Sequence, residues 1–256
     1  MTSPVTIGYV EAGSGPVLLL VHGFPLDHSM WSEQLSALSD LRRVVAVDLR
    51  GRGKSPAEPN GWTMDDYADD LAATIDELGV DKADVAGMSM GGYVVLALWR
   101  RYPEKVRSLI LIDTKASADS DEAKEGRDKT AALVREKGAS ELVEGLLPKL
   151  FGGPPDEELS QKVKAMFEAT PGGTAAADAL AMKDRPDSTV NLATITVPAL
   201  VIHGEQDALM PIDDAKGMAG LIPGAKFVSV PGAGHMSPIE NPKAVNHALR
   251  VFLMDR

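Results

Sequence analysis

A single serine sits inside a glycine-rich run, V-A-G-M-S-M-G-G (85–92), where an aliphatic segment gives way to a helical pattern. Gly87 stands two residues before Ser89, and Gly91 and Gly92 stand two and three after it. A strand that turns sharply into a helix brings backbone segments so close that a β-carbon on either flanking glycine would clash. The turn predicted here lifts the Ser89 hydroxyl over the edge of a sheet. It also leaves the Met90 N–H at a helix start without an intrahelical partner. Such an N–H, backed by the helix dipole, can donate to a developing anion.

The rest of the chain supplies the sheet and helices this corner needs. Strands are expected at Val5–Val10, Val17–Val21, Val44–Asp48, Asp84–Ala86, Ser108–Ile112, Ala199–His203 and Lys226–Val230. Helices are expected at Trp31–Leu38, Met64–Leu78, Met90–Arg101, Ile212–Leu221 and Pro242–Met254, with Thr63 and Asp66 marking the start of the second. The strands lack polar alternation, as in a parallel sheet covered on both faces. Alternating strand and helix predicts an α/β fold with a mostly parallel central sheet. Residues 115–190 break the rhythm: no strand pattern appears, and breakers fall at 152–155 and 171–173. The expected organisation is a core of residues 1–114 and 191–256, with 115–190 inserted as a helical cap or lid over the sheet's C-terminal edge.

A serine hydroxyl needs a base to act as a nucleophile at neutral pH. Of the five histidines, His235 is the expected base, because it follows the last strand in the small-residue loop P-G-A-G-H-M. His203 ends a strand, His247 lies within the last helix, and His22 reads as a residue shaping its own loop. An orienting carboxylate is required behind the base. Asp207, just past the strand A-L-V-I-H, is the expected one, with Asp113 after L-I-L-I as its rival. The order serine, aspartate, histidine then differs from that of chymotrypsin-like and subtilisin-like enzymes. A second oxyanion donor is expected from the loop after an early strand, and in V-H-G-F-P the Phe24 N–H takes that place.

Five ordered stretches together resemble the α/β-hydrolase superfamily over essentially the whole chain: H-G-F-P (22–25), D-L-R-G-R-G-K-S (48–55), G-M-S-M-G-G (87–92), the Asp207 loop, and G-H-M-S-P-I-E-N-P (234–242). Within it the chain resembles small carboxylesterases, 3-oxoadipate enol-lactonase-like proteins and cofactor-free haloperoxidases, or perhydrolases. The resemblance implies a triad of Ser89, Asp207 and His235, with Phe24 and Met90 N–H groups as oxyanion hole. It implies carboxylic ester hydrolysis, with lactone hydrolysis as the alternative. It also implies a side reaction with hydrogen peroxide, which that branch associates with a proline at the position of Pro25. A slow-turnover receptor on the same fold is the alternative of a different class.

Residues flanking the triad in sequence predict an apolar acyl pocket: Phe24, Pro25, Met90, Leu209, Met210 and Met236, with Met166, Phe167 and Met182 reaching in from the insertion. With few cations beside the motifs, a small uncharged or weakly charged ester or lactone is expected as the substrate.

Composition narrows the partners. The formal charge is −11, the reverse of a basic nucleic-acid-binding face, so no nucleic-acid partner is expected. The longest aliphatic run, Val17–Val21, is too short to cross a bilayer. The start M-T-S-P-V-T-I-G lacks a secretory pattern. There are no cysteines, which excludes thiolate metal sites and cysteine nucleophiles. A cytoplasmic location is the expectation. G-R-G-K-S is not a phosphate loop, because Asp48 stands where the first glycine belongs, and Arg50 and Lys54 are expected to shape a surface turn. No H-E-x-x-H or other metal-spaced cluster occurs, so no metal or other cofactor is expected.

Overall fold

Aliphatic strands with no polar face must be covered on both sides, and the inner strands of this sheet are. The computed structural model describes residues 4–55 and 61–255. Its strands are β1 (Tyr9–Ala12), β2 (Val17–Val21), β3 (Arg43–Val47), β4 (Ala83–Met88), β5 (Val106–Ile112), β6 (Ala199–Gly204) and β7 (Lys226–Val230). They form one sheet in the order β1-β3-β2-β4-β5-β6-β7. β1 runs antiparallel to β3, and every other pair is parallel.

Successive side chains of β2 enter opposite cores. Val17, Leu19 and Val21 join one apolar cluster, Leu18 and Leu20 the other. The first cluster is closed by α2 (Met64–Glu77), α3 (Met90–Arg101) and α8 (Ile212–Leu221). The second is closed by α1 (Ser32–Leu38) and α10 (Pro242–Met254). Each fully buried aliphatic side chain contributes about 1.5–3 kcal/mol relative to exposure. The start of α2 is fixed by a reciprocal cap: Thr63 Oγ1 accepts from the Asp66 N–H, and Asp66 accepts from the Thr63 N–H at 2.9 Å.

Between β5 and β6 lie α4 (Asp121–Lys137), α5 (Val143–Leu150), α6 (Glu157–Ala169) and α7 (Gly172–Lys183), and a short α9 (Ser237–Glu240) precedes α10. This helical segment is tied to the sheet's loops. Thr170 Oγ1 donates to the Pro25 carbonyl at 2.9 Å, and Thr174 Oγ1 to the Gly51 carbonyl at 2.8 Å. No helix of the described residues is long and apolar enough to cross a membrane.

Two expectations are corrected. The first strand runs Tyr9–Ala12 rather than Val5–Val10, because the backbone before it is engaged elsewhere: the Val5 N–H donates to Asp70 and the Gly8 N–H to Ser55 Oγ. Arg50 does not shape a surface turn. It is 1% exposed and forks onto both oxygens of Asp70, at 2.6 Å each. Lys54, by contrast, is exposed.

The chain builds β2 and β3 in one direction, then crosses to the other side of β2 to lay down β4. Such a switch point leaves a crevice at the C-terminal ends of the two adjoining strands. Val21 of β2 is level with Gly87 of β4. The loop His22-Gly23-Phe24 and the corner at Ser89 therefore emerge side by side.

Candidate active site

Ser89 has φ +52° and ψ −116°, a region costing a non-glycine residue about 1–3 kcal/mol. Its surroundings hold it there. The Ser89 N–H donates to the Ile112 carbonyl at 3.0 Å, and Thr114 Oγ1 donates to the Ser89 carbonyl at 2.8 Å. The flanking glycines are sterically required. A β-carbon on Gly87 would lie 2.2 Å from the Gly91 carbonyl oxygen, and one on Gly91 would lie 2.3 Å from the Val21 carbonyl oxygen.

The forced corner brings Ser89 Oγ to 2.9 Å from His235 Nε2, and His235 Nδ1 to 2.8 Å from Asp207 Oδ2. These residues come from the ends of β4, β6 and β7, 28 and 146 positions apart along the chain. With Nδ1–H donating to the carboxylate, Nε2 is free to accept from the serine hydroxyl. Asp207 Oδ1 accepts from the Leu209 and Met210 N–H groups at 2.8 and 2.9 Å. Burial works against its charge, but the hydrogen bond from His235 and these backbone donors outweigh it and hold the carboxyl below its ordinary value.

The rival, Asp113, does not reach His235 by hydrogen bond. It accepts from the Gly204 N–H at 2.8 Å and from Ser237 Oγ at 2.5 Å. Fully buried, it is pushed up to about 7, against the pull of His235 and Ser237. His22 is fixed as a neutral loop brace. Its Nδ1–H donates to the Gly23 carbonyl at 2.8 Å, and its Nε2 accepts from the Leu49 N–H at 3.0 Å. Burial, with Arg52 beside it, lowers its value to about 3.

Phe24 and Met90 lie at the two loop ends beside Ser89, and neither N–H donates to a described protein group. The Phe24–Pro25 bond is cis. Gly23 lets the loops approach: a β-carbon there would stand 3.2 Å from Ser89 Cβ.

A cavity of about 310 Å³ opens on Ser89 and His235. Of the residues expected to line it, Phe24, Met182, Leu209 and Met210 do. Pro25, Met90, Met166, Phe167 and Met236 do not. Met90 and Met236 are fully buried in the two cores, Met166 and Phe167 pack inside the second, and Pro25 is buried. Nearness in sequence to a triad residue does not decide which way Pro25, Met90 or Met236 faces, and Met166 and Phe167 lie on the buried face of α6. The wall is also less apolar than expected. It includes Tyr93, Lys115, Asp119 and Arg127. Lys115 was within reach of sequence reasoning, since it follows β5 on the same sheet edge; Arg127, on α4, carried no local signal. A larger cavity, about 460 Å³ and lined by Leu147, Phe151, Pro154 and Ser160, contains none of the triad residues.

The fold also gathers two carboxylate–histidine groups that no sequence spacing reveals: Asp27, His28 and Asp48, and Asp113, His203 and Asp207. Protein hydrogen bonds engage both. His28 Nδ1 lies 2.8 Å from Asp48, and His203 Nε2 donates to the Met210 carbonyl at 2.8 Å.

A strained strand-to-helix corner on a mostly parallel sheet, with a histidine and an acid supplied by later loops, defines a class of enzyme fold. The profile of the family described as "alpha/beta hydrolase fold" matches residues 16–242, and the chain belongs to that family. Within it the chain stands among carboxylic ester hydrolases. It is 41% identical to a thermophilic esterase from Thermogutta terrifontis solved with malate bound, with a TM-score of 0.93 over 97% of this chain and 93% of that one. It is 32% identical to a bifunctional esterase/perhydrolase from Acinetobacter calcoaceticus, over 97% of this chain and 96% of the relative. The enol-lactonase from Burkholderia xenovorans superposes with a TM-score of 0.86 at 28% identity, over 97% of this chain and 96% of that one.

Proposed function

We propose that this chain is a serine hydrolase that cleaves carboxylic esters through an acyl-enzyme on Ser89. The observation that supports this most is the unbroken relay from Ser89 Oγ to His235 to Asp207 at 2.9 and 2.8 Å. Ser89 Oγ attacks the ester carbonyl carbon while His235 Nε2 takes its proton. The tetrahedral oxyanion accepts hydrogen bonds from the Phe24 and Met90 N–H groups. His235 then returns the proton to the departing alcohol. Water, deprotonated by the same nitrogen, attacks the acyl-enzyme and releases the acid. Asp207 holds the imidazole in the tautomer this requires and stabilises the imidazolium. Residues 115–190 form the cap of this site, and 1–114 with 191–256 its core; Lys115, Arg127, Leu146 and Met182 contribute to the cavity wall from the cap side.

Two variations of the same chemistry are read alongside it. The enol-lactonase relative favours lactones as internal esters. The esterase/perhydrolase relative, with Pro25 after the oxyanion donor Phe24, favours hydrogen peroxide as a second acyl acceptor. The test is a panel of p-nitrophenyl esters of rising chain length, several lactones, and halide oxidation with acetate and peroxide. Ester turnover lost in Ser89→Ala is expected. Full activity in that variant overturns the mechanism, and halide oxidation no higher than its background removes the peroxide reaction.

A further inference from the structure

The cavity above Ser89 holds charge that acyl transfer does not use. The chain's formal charge is −11, yet three cations converge on one acid at this cavity. Asp119 accepts from Arg185 Nη2 at 2.7 Å and from Arg127 Nε at 3.0 Å, and Lys115 Nζ lies 3.6 Å away. Burial opposes the charge on Asp119, but the Arg185 hydrogen bond and the Arg127 charge hold it down at about 2. It therefore stays ionised in any working buffer, and with Asp187 also near Arg185 the three cations still outnumber the acids facing them. Arg185, 6% exposed, stands behind the wall with its guanidinium carbon 4.0 Å from the Tyr93 ring centroid.

The front of the cluster has binding capacity left over. Arg127 is bonded through Nε, and its two terminal nitrogens make no hydrogen bond among the described residues. Among the described residues, Lys115 Nζ has only the longer contact to Asp119. Tyr93 lies in the same wall as Ser89 and His235, is 4% exposed, and its hydroxyl has no hydrogen-bond partner among the described residues. Buried polar groups are rarely left unsatisfied without a reason. Surplus charge of one sign in a low-dielectric concavity concentrates ions of the other sign.

We propose that Lys115, Arg127 and Tyr93 form an acid-binding subsite, which takes a free carboxylate carried by the substrate itself. The substrate class is then half-esters of small dicarboxylic acids, or lactones bearing a carboxylate, rather than neutral esters. A cavity of about 310 Å³ is at the small end of ligand sites, which fits molecules of a few carbons. This deepens the acyl-transfer reading and rests on it.

The test uses the full chain and pairs of esters matched in shape. On the acyl side these are mono-p-nitrophenyl glutarate and p-nitrophenyl valerate. On the alcohol side they are the acetate esters of 4-hydroxybenzoate and of 4-hydroxybenzamide. In at least one pair the anionic member is expected to show kcat/KM about tenfold higher, the worth of one charge-assisted hydrogen bond. The gain should come mainly through KM and shrink with added salt. Arg127→Gln and Lys115→Gln should each lower that preference, and Arg127→Lys, which keeps the charge, should restore part of it. A wild-type chain that turns over the neutral member of both pairs equally well overturns the subsite and leaves the acyl-transfer reading standing. Variants that slow both members of a pair alike also overturn it. Hydrolysis of no ester at all overturns both.

Discussion

Asp207 Oδ2, which receives His235 Nδ1 at 2.8 Å, also lies 3.3 Å from Nε2 of the buried His203. The two Oδ1 bonds from Leu209 and Met210 leave no side of this carboxylate without a donor. An amide in its place must turn its NH₂ toward one of these donor sets. Asp207→Asn is therefore expected to lower kcat by on the order of 10³–10⁴, because His235 loses its working tautomer. Steady-state kinetics on a p-nitrophenyl ester, with a melting curve to show the variant is folded, check this.

Asp113 makes stability depend on pH. Its folded-state value is about 7, above the ordinary 3.8 that serves for the unfolded chain. The fold thus binds this proton more tightly than the unfolded chain does. Stability is lost as pH rises from about 4 through 7. Asp113→Asn removes the charge, although in either orientation its NH₂ faces a backbone N–H, of Gly204 or of Ser237, that the carboxyl accepts. The wild-type lead in Tm over this variant should be largest in acid and shrink as pH rises to 8. Melting curves from pH 5 to 8 decide it, and a wild-type minus variant difference that does not change with pH contradicts the assignment.

The steric demand at the nucleophile corner can be tested without activity. Gly87→Ala places a β-carbon against the Gly91 backbone, and such overpacking costs about 1–3 kcal/mol or more. Gly217→Ala on α8 has open space around it and should stabilise by roughly 0.5–1 kcal/mol through helix propensity. Urea denaturation of the two variants should move in opposite directions.

The Arg50–Asp70 pair is buried at both ends, 1% and 0% exposed. Removing one partner leaves the other charge stranded, so Arg50→Ala is expected to cost about 3–5 kcal/mol. A midpoint in chemical denaturation close to that of the wild type would show that solvent reaches the pair.

Where backbone chemistry and strand order fix a feature, the sequence revealed it. Gly87, Gly91 and Ser89 announce a corner because no other residues fit the close approach. β2, β5 and β6 show as aliphatic runs because both faces of the sheet are covered there. Chain order pointed to His235 and narrowed the acid to Asp207 or Asp113, since the ends of parallel strands share one edge. Direction and charge were harder to read. Met166, Phe167 and Met236 look the same in sequence whether they face a cavity or a core. Arg127 meets the site only because α4 folds over it, and the clustering of His203 with Asp113 arises from the register between β5 and β6. The early residues Val5–Gly8 had strand composition, but Asp70 and Ser55 took their backbone donors.

The central claim is that Ser89 becomes covalently acylated. The most direct measurement is rapid mixing with excess p-nitrophenyl acetate, joined to intact-protein and peptide mass analysis of the acid-quenched enzyme. The account predicts a burst of p-nitrophenolate not exceeding one equivalent per chain, together with an added acetyl group on the peptide containing Ser89, both lost in Ser89→Ala. Ester turnover with no adduct on that peptide, undiminished in Ser89→Ala, would contradict it.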